Sequence, residues 1–296
     1  MPEKMQGVYP ILITPFDEQS RVDVESLRSL VDFLIAQGVH GIGVALGSEV
    51  FKLTEAERVL VTRTVVDQAA GRVPVVINTG ANATTLALHY SYMAEENGAD
   101  AVMLLPPSFI PVGGAETREY FKAISDAVHI PIFIQDTSSA HVSAELAVQI
   151  AQESEQVRYI KVESLPTPVM VHDTVQKAGD VLTVFGGAGG NYFIEEMRRG
   201  SVGTMPFCSQ PEAFVEVWDR FQAGDERGAR EVFYRRILPV NRLGGAGRAA
   251  AYYHVHKEIL RRRGVIRTAV VRGPVAPLDD ILKQELDALI EELYPA

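Results

Sequence analysis

Short apolar runs alternate along this chain with longer stretches in which apolar residues recur every three or four positions. The runs are VYPILIT (8–14), GIGVAL (41–46), VPVVINT (73–79), AVMLLP (101–106), IPIFIQD (130–136), RYIKVE (158–163), VLTVFGG (181–187) and VGTMPF (202–207). They are too apolar for strands wetted on one face and read as strands of a parallel sheet buried on both faces. The intervening stretches read as helices. Val24, Leu27, Leu30, Val31, Leu34 and Ile35 fall on one helical face that ends at Gly38, and Thr54 with Glu57 three positions on marks a capping box. Eight such alternations in roughly the first 220 residues predict a closed (β/α)8 TIM barrel rather than a doubly wound sheet.

Beyond about Pro211 amphipathic helical patterns follow one another with no strand between them. The chain therefore divides into a barrel over residues 1–224 and a C-terminal helical extension over 225–296. VRGPVAPLDD (271–280) reads as an extended, proline-bounded connector before the last helix.

Composition narrows the class. Hydrophobic residues make up 47% and charged residues 22% of the 296, the balance of a globular protein with a sizeable core. A net charge of −10 argues against nucleic acid or an anionic membrane as the main partner, while leaving room for a small anion in a locally positive pocket. The single cysteine, Cys208, excludes an intrachain disulfide and any cysteine-based metal site. No signal-peptide pattern opens the sequence and no run of about 18 apolar residues occurs, so a soluble, cytoplasmic protein is expected.

Candidate chemistry centres on the sixth strand. Active sites of such barrels form at the C-terminal ends of the strands. Lys161 and Glu163 stand at that end of strand six, two apart, so alternation puts both on one face. A buried ion pair without chemistry fits that pattern. So does a reactive one, because burial disfavours an ammonium and the free amine is a nucleophile toward ketones. The glycine-rich FGGAGGNYF (185–193) follows strand seven, where barrel loops bind oxyanions; Gly186, Gly187 and Asn191 are the candidate ligand groups there, against a plain tight turn. Met205 on strand eight is expected to line the pocket. His254 and His256, two apart on a helix, face different directions and read as surface histidines rather than metal ligands, and RRR (261–263) reads as a solvated helix end. No metal or cofactor is expected.

The order and spacing of ITPFDEQSRVD (13–23), GSEVFKLTEAER (47–58), VPVVINTGANAT (73–84), NGADAVMLLPP (97–107), IPIFIQD (130–136), YIKVES (159–164) and GSVGTMP (200–206) carry a resemblance over nearly the whole chain. The chain resembles the Schiff-base-forming, pyruvate-dependent lyase family that includes dihydrodipicolinate synthase, N-acetylneuraminate lyase and the 2-keto-3-deoxy sugar-acid aldolases and dehydratases. The resemblance implies a (β/α)8 barrel with a helical extension, commonly a homotetramer, acting on a small 2-keto acid, with Lys161 as the Schiff-base lysine.

Departures from the family pattern shape the functional expectation. The carboxylate-binding loop, usually glycine–threonine–threonine–glycine–glutamate, reads ALGSE (45–49), so Gly47 and Ser48 are the expected carboxylate-binding residues, by main-chain amides or the Ser48 hydroxyl. Gln135 stands where the family has its proton-shuttling tyrosine, Phe109 where a tyrosine is lent across a subunit interface, and Ala140 where dihydrodipicolinate synthases hold their aldehyde substrate with an arginine. A glutamine cannot relay protons as a phenol can, which leaves Glu163 as the expected acid/base and Gln135 as a residue that orients substrate. The expected activity is dehydration or retro-aldol cleavage of a 2-keto-3-deoxy sugar acid. The alternatives are dihydrodipicolinate synthase activity and a non-catalytic barrel that binds a keto acid.

Overall fold

Each apolar run supplies a strand, and the computed structural model, which describes residues 4–248 and 250–295, curls them into one parallel sheet. In chain order the barrel comprises β1 (Gly7–Val8), α1 (Val24–Ala36), β2 (Ile42–Val44), α2 (Glu55–Ala69), β3 (Val75–Asn78), α3 (Thr84–Glu96), β4 (Ala101–Leu104), α4 (Gly114–Ser125), β5 (Ile132–Asp136), α5 (Ala144–Glu153), β6 (Val157–Val162), α6 (Thr167–Ala178), β7 (Thr183–Gly186), α7 (Phe193–Met197), β8 (Gly203–Thr204) and α8 (Pro211–Gln222). Neighbouring strands follow sequence order, and β1 lies beside β8. The ring closes between β1 and β2, where Gly43 N donates to Pro10 O and Leu12 N to Gly43 O, both at 2.9 Å. This is a (β/α)8 barrel.

The first strand is shorter than its apolar run. Pro10 has no amide hydrogen to give the ladder, so regular pairing stops at Val8 and resumes at Ile11 as two isolated bridges, to Gly43 on one side and Phe207 on the other. Helix starts follow their caps: the Asp23 side chain accepts from Ser26 N, and Thr54 and Glu57 form the reciprocal capping box.

Two cores result from strand alternation. Outward residues such as Ile42, Val102, Ile134 and Ile160 pack beneath the helices. Inward residues fill the barrel with Tyr9, Val76, Met103, Phe133, Tyr159, Phe185 and Met205. The Phe133 and Tyr159 rings stack at 4.4 Å, and each such buried aromatic contributes about 1.5–3 kcal/mol by removal from water. The aromatic layer closes the barrel floor, so the next inward residues toward the strand C-termini face a cavity.

The helical pattern after Pro211 breaks at Gly224, whose φ of +82° suits glycine, and Asp225 caps a new helix. The extension holds α9 (Glu226–Val232), α10 (Leu238–Ala246), α11 (Ala251–Arg262) and α12 (Asp280–Leu293), with a five-residue π-helical turn joining α9 to α10. Between α11 and α12 the chain returns as a strap across the barrel. Arg267 pairs with Asp23 and Arg272 with Glu57, and these guanidiniums hold both carboxyls down to about 2. No helix among the described residues is long and apolar enough to cross a membrane.

Candidate active site

Alternation along β6 sends Tyr159 and Lys161 into the barrel and leaves Glu163 on the same side, one residue beyond the strand. Parallel register sets Gln135 opposite Lys161 on one side and Phe185 on the other. The three residues expected to carry chemistry thus meet. Lys161 Nζ lies 3.0 Å from Glu163 Oε1, which also accepts from the Ala188 amide at 2.9 Å, while Glu163 Oε2 accepts from Gln135 Nε2 at 2.8 Å. Lys161 is 3% exposed and Gln135 1%. Behind them Asn78 Nδ2 approaches Gln135 Oε1 at 3.5 Å.

Gly187 makes room for this triad. A Cβ there would overlap Glu163 Cγ and stand 2.8 Å from both Glu163 Cδ and Lys161 Cε. Gly187→Ala is therefore expected to push Glu163 off the lysine and lower kcat about 100-fold, with the protein still folded by circular dichroism; a variant of undiminished kcat would show that the pair tolerates displacement.

Above the triad opens a cavity of about 580 Å³. Leu46, Gly47, Gly189 and Met205 form its walls, Tyr252 and Tyr253 from α11 overhang it, and Ser108, Thr137 and Ser139 stand at its mouth. Among the described residues that line it, Lys161 is the one cation and Glu163 the one anion. The Thr137 and Ser139 hydroxyls lie 3.0 Å apart, and a tight turn holds them, with Ala140 N donating to Thr137 O at 3.0 Å.

Several expectations need correction. Ser48 is fully buried and points under its loop: its hydroxyl donates to Leu12 O and accepts from Ala45 N, and its amide donates to Ala45 O. It shapes the turn and leaves only Gly47 at the cavity wall. Gly186 faces outward, opposite in parity to Gly187, and the place of its missing side chain is taken by the Glu196 carboxylate. Burial pushes that carboxyl up to about 7, against the Thr167 hydrogen bond that lowers it and with the charge of Glu163 adding to the rise. Asn191 is exposed and donates to Ala188 O at 2.6 Å, a brace within the glycine-rich loop rather than a cavity residue. His256 is buried, bonded to Ser209 Oγ at 2.7 Å and stacked on Phe207 at 4.3 Å, and burial pushes its imidazole down to about 3. Arg263 is mostly covered, donating to Ser209 O and stacking on Phe33 and Tyr294, whereas Arg261 and Arg262 lie at the surface. No group of three or more metal-ligating side chains occurs among the described residues.

Sequence reading missed Asn78, Thr137, Ser139, Tyr252 and Tyr253. Asn78 was readable as the polar end of VVIN, two positions from the inward Val76, and the hydroxyls as the polar run that ends strand five. The two tyrosines arrive from the extension, and nothing near them in sequence signals that.

A floor of aromatic rings, a lysine–glutamate pair above it and a polar-rimmed cavity at the strand C-termini define an enzyme site of the barrel lyase class. The Dihydrodipicolinate synthetase family model matches residues 4–293, and the chain belongs to that family of Schiff-base lyases. It is 30% identical to an L-2-keto-3-deoxyarabonate dehydratase of Azospirillum brasilense, over 98% of this chain and 95% of that protein. It is 32% identical to a 4-hydroxy-tetrahydrodipicolinate synthase of Methanopyrus kandleri, over 81% of each. Its fold matches that of YagE, a prophage protein of E. coli K12 solved in complex with pyruvate, with a TM-score of 0.91 at 22% identity over 99% of this chain and all of that one.

Proposed function

We propose that the protein dehydrates a 2-keto-3-deoxy sugar acid through an imine on Lys161. The observation that carries this reading is the Lys161–Glu163 contact at 3.0 Å inside a cavity whose described lining residues include no other acid. Lys161 passes a proton to Glu163 and its free amine adds to the C2 ketone; the carbinolamine hydroxyl then leaves as water with that proton, which gives a protonated imine beside the Glu163 carboxylate. That imine is an electron sink, so Glu163 can take a proton from C3 and leave an enamine. The enamine expels the C4 hydroxyl, which leaves as water with the proton that Glu163 now carries. Water then hydrolyses the unsaturated imine, freeing the lysine; the water made in forming the imine is returned in cleaving it, and the net change is loss of one water.

Four further observations support this reading. Gln135 stabilises the Glu163 carboxylate and offers no phenol to shuttle protons. The hydroxyls of Ser108, Thr137 and Ser139 suit a hydroxylated substrate tail. Among the described residues the cavity has no second cation for an aldehyde substrate that brings its own carboxylate, and Ala140 stands where the resemblance expects that cation, which disfavours the synthase reaction. The dehydratase relative spans nearly the whole chain. The proposal includes the homotetramer that the resemblance implies, supported by the exposed apolar Phe109 and Ile110 after β4.

The test is product analysis with a 2-keto-3-deoxypentonate, together with borohydride reduction and peptide mapping. Loss of water without release of pyruvate, and a reduced adduct on Lys161, are expected. Release of pyruvate would make the enzyme an aldolase, and an adduct that never turns over would make the barrel a keto-acid sensor.

A further inference from the structure

The cavity wall across from Glu163 is held from outside the barrel. Residues Leu46–Ser48 and Val50–Lys52 form two short 3-10 turns hinged at Glu49, a non-glycine residue at φ +58°. Such a hinge persists only where the surroundings hold it. Here the Glu49 side chain is wholly buried, with Oε1 2.6 Å from Lys257 Nζ and Oε2 2.7 Å from Lys52 Nζ. Lys257, equally buried in α11 and 208 positions away in sequence, also donates to Val270 O of the strap and sits over the Phe16 ring. One turn earlier on the same helix the Tyr253 hydroxyl donates to Leu46 O at 2.9 Å. A single helix therefore grips the loop on both sides of Gly47.

Glu49 is shared by two ammonium groups, so the buried cluster behind Gly47 keeps one positive charge in excess. A buried charge is screened far less than a surface one, and it favours an anion on the cavity side.

We infer that Lys257 is a positioning residue for the substrate carboxylate: through Glu49 it fixes the Leu46–Gly47 turn, and with Lys52 it supplies the positive field behind that turn. The inference rests on the reading of the cavity as a 2-keto-acid site. Lys257 reaches no cavity atom itself and acts through the loop.

The test compares pyruvate with hydroxyacetone, an uncharged ketone of similar size, by the concentration that half-saturates borohydride trapping. Two variants are used, Lys257→Met and the double variant Glu49→Gln/Lys257→Met, the second so that no buried carboxylate loses a partner. The single variant, whose buried cluster is left neutral, is expected to need about 10-fold more pyruvate while hydroxyacetone shifts less than about twofold; the double variant, which keeps one excess positive charge on Lys52 but has lost the Glu49–Lys257 tether, is expected to need about threefold more pyruvate and to recover most of the melting temperature lost in the single one. Equal shifts for the two ketones, or an unchanged pyruvate requirement in the folded double variant, would overturn the inference. Pyruvate binding by calorimetry reads the same charge dependence without the covalent step, so a wild-type protein that binds pyruvate but gives no adduct would overturn the Schiff-base reading alone.

Discussion

Lys161→Met is expected to lose turnover by at least about 10⁴-fold and to form no borohydride-stable adduct with any 2-keto acid. Among the described residues that line the cavity none can replace its amine, since Lys161 is the one cation there. Lys52 and Lys257, the lysines nearest in the same loop system, are both committed to Glu49. Methionine fills the same channel above Tyr159, and Glu163 keeps its bonds from Gln135 and Ala188. The stability cost is therefore that of an acceptor losing one of three partners, about 1–3 kcal/mol. Lys161→Arg sharpens the result: it keeps a cation beside Glu163, cannot form the imine, and is expected to be equally inactive while regaining stability. Mass spectrometry of the reduced wild-type protein checks the assignment directly, and an adduct on any other lysine would refute it.

The part of this site that was legible in the sequence is the part fixed by period-two alternation and parallel register. Lys161 and Glu163 share a face because they are two apart, and Gln135 joins them because β5 and β6 run side by side. The same rule marks where the reading went astray. Gly186 and Gly187 are adjacent, so they face opposite sides of the sheet, and parity assigns Gly187 to the cavity with Lys161 and Gly186 to Glu196. Ser48 failed for another reason. A short loop's hydroxyl satisfies backbone groups wherever they are left open, and here it binds Leu12 and Ala45.

The extension's contribution was not legible at all. Lys257, in YYHVHKEILRRR, looks like the wet face of an amphipathic helix, and only the fold shows that Glu49 awaits it. Asn241 likewise reaches the glycine-rich loop from α10, donating to Gly189 O at 3.0 Å. Two walls of the cavity are thus set by contacts that no local pattern encodes. The barrel supplies the reactive groups on rigid strands, and the helices wrapped around its rim set the loops that meet the substrate.

Glu163→Gln is expected to lower kcat by about 10²–10⁴-fold while the adduct on Lys161 still forms. The change keeps the side chain's volume and lets its oxygen go on accepting from Lys161 and Ala188. It turns the other position into a donor facing the Gln135 amide, which has to flip to present its oxygen. Geometry is thus largely kept and basicity is lost. Exchange of the pyruvate methyl protons in deuterium oxide separates the two steps assigned to this carboxylate, because it requires the imine and a base at C3 but no leaving group. If Glu163 is the base, exchange falls with turnover while trapping persists. If exchange stays at the wild-type rate while dehydration fails, the carboxylate serves only to protonate the departing C4 hydroxyl, and another group removes the C3 proton. If dehydration proceeds unimpaired, the Lys161–Glu163 pair is a structural ion pair, and the proton chemistry lies elsewhere in the cavity.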